Sequence, residues 1–300
     1  MKSIVITINN RKGGVGKTSI TLALGSILAN RGYKVLLVDL ESQNNLTTGC
    51  MAADQLHGIK RYVYDAVDEL IDNEKRTSAS LPYYKIRDNL YLSPSSRSMT
   101  GIESVLSMFN QSIMVLDLLL KPIRPQFDFI IMDCPPGAGL VTLNAYYASD
   151  RIYVPALMED DSYIGALEVA KDIHDYINPY KPKAQITGII MNQYSIRARL
   201  CLSVNNNFHR TFPDKIMKTA IRKNIAVGEA KRAHLGIDIY DPKCKAAQDF
   251  NALVDEILST VPMVTPISRT FNDNSMSGRT VVLKKGQSVF IGPDGNFDVR

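Results

Sequence analysis

Five near-continuous apolar runs mark the first two-thirds of the chain: SIVITI (3–8), KVLLVD (34–39), FDFIIMD (127–133), RIYVPAL (151–157) and ITGIIMN (186–192). Short apolar runs without polar alternation predict strands covered on both faces, as in a parallel sheet. Between them the period changes. Ile20, Leu24, Ile27 and Leu28 fall at i, i+4, i+7 and i+8, one stripe along a helix, and Gly32 stands where that helix stops. Another helical pattern runs from about Lys245 to Leu258, while residues 51 to 126 are less regular and predict helices with a short strand near Leu90 to Ser93. Strands alternating with helices predict an α/β domain over residues 1–261, with a twisted, mainly parallel sheet flanked by helices on both faces. After Pro262 the pattern dissolves. Turn signals (Ser-Gly, Lys-Gly, Asp-Gly) separate short β-like runs, so residues 262–300 read as an appended hairpin or a loose tail.

Composition adds limits. The 300 residues, 45% hydrophobic and 22% charged, have the balance of an ordinary globular chain. No apolar run approaches the roughly 18 residues of a membrane span. The opening MKSIVITINN does not read as a signal peptide, and Cys50, Cys134, Cys201 and Cys244 lack metal-ligand or redox spacing, which predicts reduced thiols in a cytosol. Charge is uneven. Residues 183–232 carry ten Lys/Arg against Asp214 and Glu229, a net of +8 in a chain whose total is +5. Such a segment is either a solvated face or a polyanion-binding one.

The chemistry concentrates in NNRKGGVGKTSI (10–21), which follows the first strand and opens the first helix. A glycine-rich loop there aims backbone N–H groups at a phosphate, and the helix dipole adds positive potential. Gly13, Gly14 and Gly16 permit close approach, with Val15 and Ser19 completing the loop. Lys17 is placed for the β- and γ-phosphates, and the Thr18 hydroxyl for Mg²⁺. The usual G-x-x-x-x-G-K-[ST] template fails at its first position, which is Arg11. Lys12, five residues before Lys17, has no use in the ordinary loop.

KGGVGKT resembles the deviant phosphate loop (deviant Walker A, SIMIBI class) of the ParA/MinD superfamily. VDLESQNNLT (38–47) is similar to that family's D-x-D-P-Q-G-N-x-T segment, DCPPGAG (133–139) to its D-x-P-P-x-x-G, and KTAIRKNIAVGEA (218–230) to its K-T-x-I-P-R-N-x-x-x-S-E-A. The likeness spans about residues 3 to 260 and is greatest to ParA-type DNA-partition ATPases. It implies a P-loop ATPase that takes ATP and Mg²⁺ and dimerises around two nucleotides, with Lys12 reaching across the interface to the partner's phosphates.

Other roles follow from the same resemblance. Asp133 ends an apolar strand, where a carboxylate either holds Mg²⁺ through water or simply caps a turn. Asp39 would bond to the loop and the Mg²⁺ water shell. Asn192 and the Ile221–Arg222 backbone match adenine-contacting positions, although Asn192 equally suits a strand-end cap and Arg222 replaces the family's proline. The second carboxylate of D-x-D, which helps place the attacking water, falls on Glu41. Its extra methylene displaces the carboxylate by roughly an ångström, a scale that can cost about 10²-fold in rate. Cys134 reads as a buried structural thiol.

The resemblance further implies a cytoplasmic, nucleoid-associated dimer that binds non-specific double-stranded DNA in its ATP state and answers to a ParB-type centromere-binding protein. Arg197, Arg199, Lys218, Arg222, Lys223, Lys231 and Arg232 are the candidate phosphate-backbone contacts. Two alternatives stand beside this. One is a hydrolysis-impaired, ATP-gated DNA-binding or scaffold module. The other is a MinD-like positioning ATPase acting on a protein cargo, although its membrane form calls for a basic amphipathic C-terminal helix, which GPDGNFDVR does not supply.

Overall fold

All five apolar runs become strands, and the reason is two-sided burial. The computed structural model describes residues 3–72, 79–182, 184–194, 201–261, 289–291 and 297–299. Its strands are Ile4–Ile8 (β1), Val35–Asp39 (β2), Tyr84–Arg87 (β3), Leu90–Ser93 (β4), Phe129–Asp133 (β5), Arg151–Ala156 (β6) and Gly188–Met191 (β7). Every residue of β1, β2, β5 and β7 is buried. Alternate residues feed different cores. Ile4, Ile6, Leu37 and Phe129 pack with Leu24, Ile27 and Leu28 of the helix Lys17–Asn30 (α1) and with Phe250, Leu253 and Ile257 of the helix Lys245–Thr260. Val5, Leu36, Val38, Ile130 and Met132 face the opposite way, against Val67, Leu70, Leu116 and Leu119. A third cluster joins Val154, Ile189 and Met191 to Val169 and Phe208. Each such side chain contributes about 1.5–3 kcal/mol by leaving water.

The sheet order is β3-β4-β2-β5-β1-β6-β7, parallel except for β3. From β1 the chain runs out to β2, β4 and β3 on one side, returns to place β5 between β2 and β1, and then crosses to β6 and β7 on the other. Ligand crevices in such sheets lie beyond the carboxyl ends of the strands where the winding direction changes. The loops leaving β1, β2, β5 and β7 all open at that end.

The strand expected at Leu90 to Ser93 has those limits, but its antiparallel partner β3 goes beyond the expected strands, its Tyr84 and Ile86 packing on the core in a pattern too short to mark a strand by itself. YKIR is polar at Lys85 and Arg87 and half-exposed. Its strand state comes from the turn at Asp88–Asn89, with Asn89 at φ 60, which folds it back along β4. The first helix ends at Asn30, two residues before Gly32 at φ 89. The last runs to Thr260.

The chain divides into two compact units, Met1–Pro266 and Ile267–Arg300. In the second, Val289–Ile291 (β8) pairs antiparallel with Phe297–Val299 (β9). Among the described residues no helix is long and apolar enough to cross a membrane.

Candidate functional site

The loop of residues 9–16 leaves β1 and enters α1 through two left-handed residues, Gly14 (φ 77) and Gly16 (φ 94). A Cβ added at Gly13 or Gly14 meets nothing within 4 Å, so the space beside both glycines is open. At Gly16 a Cβ would come within 2.2 Å of Asn192 Nδ2. Asn192, just past β7, donates that amide to the Val15 carbonyl at 2.7 Å. It therefore braces the loop as well as facing the adjoining cavity.

The first half of the loop is strapped to the helix Asp160–Asp172. Asn10 donates to the Pro155 carbonyl (2.8 Å) and the Ser162 carbonyl (3.2 Å) and accepts the Lys12 N–H (2.9 Å). Arg11, the residue that breaks the usual template, makes a two-pronged contact with the buried carboxylate of Asp172, at 3.0 Å and 2.5 Å. Gly165 lets helix and loop meet, since a Cβ there would lie 2.1 Å from Asn10 Oδ1.

The two lysines of the loop are held differently. Lys17 is buried and donates to the carbonyls of Asn10 (3.1 Å) and Lys12 (3.2 Å). Burial lowers its pKa, opposed chiefly by Asp133. Lys12 points outward, with its ammonium 2.6 Å from Asp161 Oδ2.

Two carboxylates stand beside the loop at the ends of adjacent strands, Asp39 in register with Asp133. Asp39 is completely buried and satisfied. It accepts the Glu41 N–H (3.1 Å) on one oxygen and the N–H and hydroxyl of Thr47 (2.8 and 2.7 Å) on the other. Burial still pushes its pKa up to about 6. Asp133 is equally buried, yet among the described residues no group meets the distance and angle of a hydrogen bond to either carboxylate oxygen, the Thr18 hydroxyl lying near but outside that geometry. Burial, reinforced by Asp39 and opposed by Thr18 and Lys17, pushes its pKa up to about 8. A buried carboxylate with idle oxygens beside a hydroxyl is the donor set of a hard cation. The residues present thus fit Mg²⁺, which Thr18 and Asp133 would hold, whereas both oxygens of Asp39, expected at the Mg²⁺ water shell, are engaged by Glu41 and Thr47 and anchor the neighbouring segment.

Glu41 lies in that segment. Ser95 fixes its backbone, the hydroxyl donating to the Glu41 carbonyl at 2.7 Å. Its carboxylate is tied to immediate neighbours, 3.3 Å from the Ser42 hydroxyl and 3.5 Å from the Gln43 N–H. Cys134, next to Asp133, is buried and its thiol is pushed well above the ordinary value by burial, in keeping with the structural reading.

On the other side of Gly16 a cavity of about 280 Å³ is lined by Ser19, Asn192, Ile221, Arg222, Ile225 and Phe250, among others. The expected base contacts thus meet in one place. Their backbone is partly committed, however. The Ile221 N–H donates to Met191 and its carbonyl accepts from Tyr194. Arg222 is held by Asp249, which takes its backbone N–H (2.9 Å) and grips the guanidinium at 2.6–3.2 Å.

Of the basic candidates, Arg197 and Arg199 lie outside the described residues. Lys218, Lys223 and Arg232 are exposed. Arg222 is neutralised by its ion pair. Lys231 is half-buried, its stem lying against Gly49 of the helix Asn45–Cys50. The chain pattern carried no sign of Asn10, Gly165, Asp161 or Asp172, because their partners are 149 to 161 residues away or are backbone atoms. Thr47 had a weak local sign, a Thr near the start of a short helix.

Known proteins resemble this chain in sequence and in fold. The AAA domain family matches residues 3–186. The sporulation initiation inhibitor protein Soj of Bacillus subtilis (strain 168) is 31% identical over 256 residues, covering 84% of this chain and 97% of Soj. The chromosome-partitioning ATPase Soj of Treponema pallidum (strain Nichols) is 30% identical over 250 residues, covering 83% and 95%. Among solved structures, an ATP complex of a variant of the Cyanothece protein McdA superposes with a TM-score of 0.74 over 88% of this chain and 99% of that one. At 19% identity it speaks for the fold alone.

Proposed function

Since the chain belongs to the ParA/MinD family of P-loop ATPases, we propose that it is an ATP-operated dimerisation switch that carries DNA in partition. The observation that carries this reading is the pairing of two features at one loop. Asp133 offers two idle, buried oxygens beside Thr18 and Lys17, and the Lys12 side chain turns outward from the same loop to Asp161.

In this reading ATP is the substrate and Mg²⁺ the resident cation, which when bound neutralises charge on the phosphates. Lys17 exchanges the carbonyls of Asn10 and Lys12 for phosphate oxygens, so its buried charge gains a better partner. The cavity bounded by Asn192, Ile221 and Arg222 takes the base. Lys12 serves the second subunit's phosphates, a cation placed where charge develops on the transferred group. ATP favours the dimer because it has partners there that the monomer lacks.

The dimer's cargo in this reading is non-specific duplex DNA at the nucleoid, held through Lys218, Lys223, Lys231, Arg232 and the paired Arg197 and Arg199. A ParB-type centromere-binding protein stimulates hydrolysis and returns the chain to its weakly binding monomer. The test is DNA affinity with ATP, ADP and no nucleotide on unrelated duplexes over a salt series, with Lys12→Ala alongside. Tight, sequence-indifferent binding with ATP only, weakening steeply with salt and lost in the variant, supports the switch. Equal affinity in every nucleotide state removes it.

A second reading rests on Glu41. Among the described residues its carboxylate is held by its neighbours Ser42 and Gln43, not by the Asp39–Thr47 anchor. An ATP-gated DNA-binding module that hydrolyses almost nothing fits that arrangement. Turnover separates the two.

A further inference from the structure

We propose that Asp161 is a latch that holds Lys12 on its own subunit and sets how readily the chain dimerises with ATP. The inference rests on the reading of Lys12 as a lysine that acts across a dimer.

The geometry around Lys12 separates a fixed backbone from a movable side chain. The Lys12 N–H is pinned by Asn10 Oδ1 at 2.9 Å, and Asn10 is itself pinned to Pro155 and Ser162. One residue back, Arg11 is locked onto the buried Asp172 carboxylate. Rotation of the Lys12 side chain therefore requires no movement of the loop. Among the described residues, the anion that holds this side chain is Asp161 Oδ2, at 2.6 Å, on the first turn of the helix to which the loop is strapped. Glu159 lies close enough to strengthen the field there.

An ammonium paired to Asp161 cannot at the same time reach a neighbouring subunit's phosphates. Forming the dimer breaks two such pairs, one per subunit, so the latch acts twice on a single equilibrium. Both partners are solvent-accessible, Lys12 at 36% and Asp161 at 67%, which keeps each pair weak and exchangeable. The latch thus biases dimerisation without preventing it. Asp161 is a positioning residue: it acts through Lys12 and touches no substrate.

The experiment is sedimentation of the full chain over a protein concentration series, with Mg²⁺ and a non-hydrolysable ATP analogue, for wild type, Asp161→Asn, Asp161→Glu and Lys12→Ala. The Asn variant should dimerise at roughly 2- to 10-fold lower protein concentration than wild type, the Glu variant near the wild-type midpoint. The gap should close in about 1 M salt, where exposed pairs are screened. Lys12→Ala should stay monomeric. A purely structural Asp161 would not restore function through Glu or respond to salt in this way. An Asn midpoint equal to or above wild type, with wild type dimeric, overturns the latch and leaves the switch standing. Wild type that remains monomeric with the analogue removes the switch itself, and the latch with it.

Discussion

Asp39 and Asp133 stand side by side at the ends of adjacent parallel strands, in register, both fully buried, and only the first has its oxygens occupied by described residues. Asp39 is spent on Thr47 and on the Glu41 N–H. Asp133 waits. The contrast supports an anchoring role for the first and, in the proposed function, a cation-holding role for the second, whose burial makes its charge costly when no cation is bound.

That cost has a pH signature. The Asp133 pKa is raised to about 8 in the folded chain from 3.8, and that of Asp39 to about 6. A folded pKa above the unfolded one contributes stability that is complete below about pH 4 and lost as pH rises through the folded value. In chelator and without nucleotide, the contribution of these two carboxylates to the melting temperature should therefore decline from about pH 4 to about pH 8. Asp133→Asn should flatten the decline and raise the melting temperature at about pH 8 by about 2–8 °C, roughly 1–2 kcal/mol for a domain of this size. Mg²⁺ should stabilise wild type and not the variant. Calorimetry at about pH 5 and about pH 8, with and without Mg²⁺, reads all of this, and a variant less stable than wild type at the higher pH contradicts it.

Gly165 is where the helix Asp160–Asp172 meets the loop. Gly165→Ala places a Cβ 2.1 Å from Asn10 Oδ1 and 3.1 Å from the Lys12 nitrogen. Overpacking of this kind costs about 1–3 kcal/mol. Because the clash falls on the loop, nucleotide affinity should drop by about tenfold or more, together with a fall in melting temperature. Titration with a fluorescent ATP analogue would disprove the coupling if affinity stayed at the wild-type level.

Glu41 should govern chemistry and not binding. Its side chain lies outside the phosphate loop and the cavity proposed for the base, so Glu41→Ala should leave ATP affinity within about twofold while lowering the single-turnover rate by about 10²-fold. Equal rates for the two proteins would take Glu41 out of the mechanism.

The basic residues should differ among themselves. Arg232 is exposed, whereas Arg222 is gripped by Asp249. Arg232→Ala should weaken duplex binding uniformly across sequences and reduce the slope of log affinity against log salt by about 1. Arg222→Ala should change that slope far less and act instead on nucleotide affinity, since it lines the cavity proposed for the base. Equal slopes for both variants would mean that Asp249 releases Arg222 to DNA.

Much of the site was legible in the residues because its pieces are local. A phosphate loop is a run of glycines between a buried strand and a helix, and the backbone conformations at Gly14 and Gly16 follow from their lack of a Cβ. The strand-end aspartates were legible too, since an apolar run that stops on Asp places that carboxylate at the sheet's rim. The edge strand β3 was not, because Tyr84 and Ile86 alternating with Lys85 and Arg87 make a pattern only four residues long, and the strand exists through its pairing with β4.

The order of strands and helices, the P-loop and the family were all written in short stretches, each set by residues within a few positions of one another. Which side chains those pieces would meet was left to the folded chain. Asn192 closes onto Val15 across 177 residues, Arg11 onto Asp172 across 161, and Lys12 onto Asp161 across 149. Periodicity records which face of an element is buried but not which neighbour covers it. The partners of Lys12, Arg11 and Asn192 became determined only when parallel strands brought the ends of β1, β6 and β7 to the same rim.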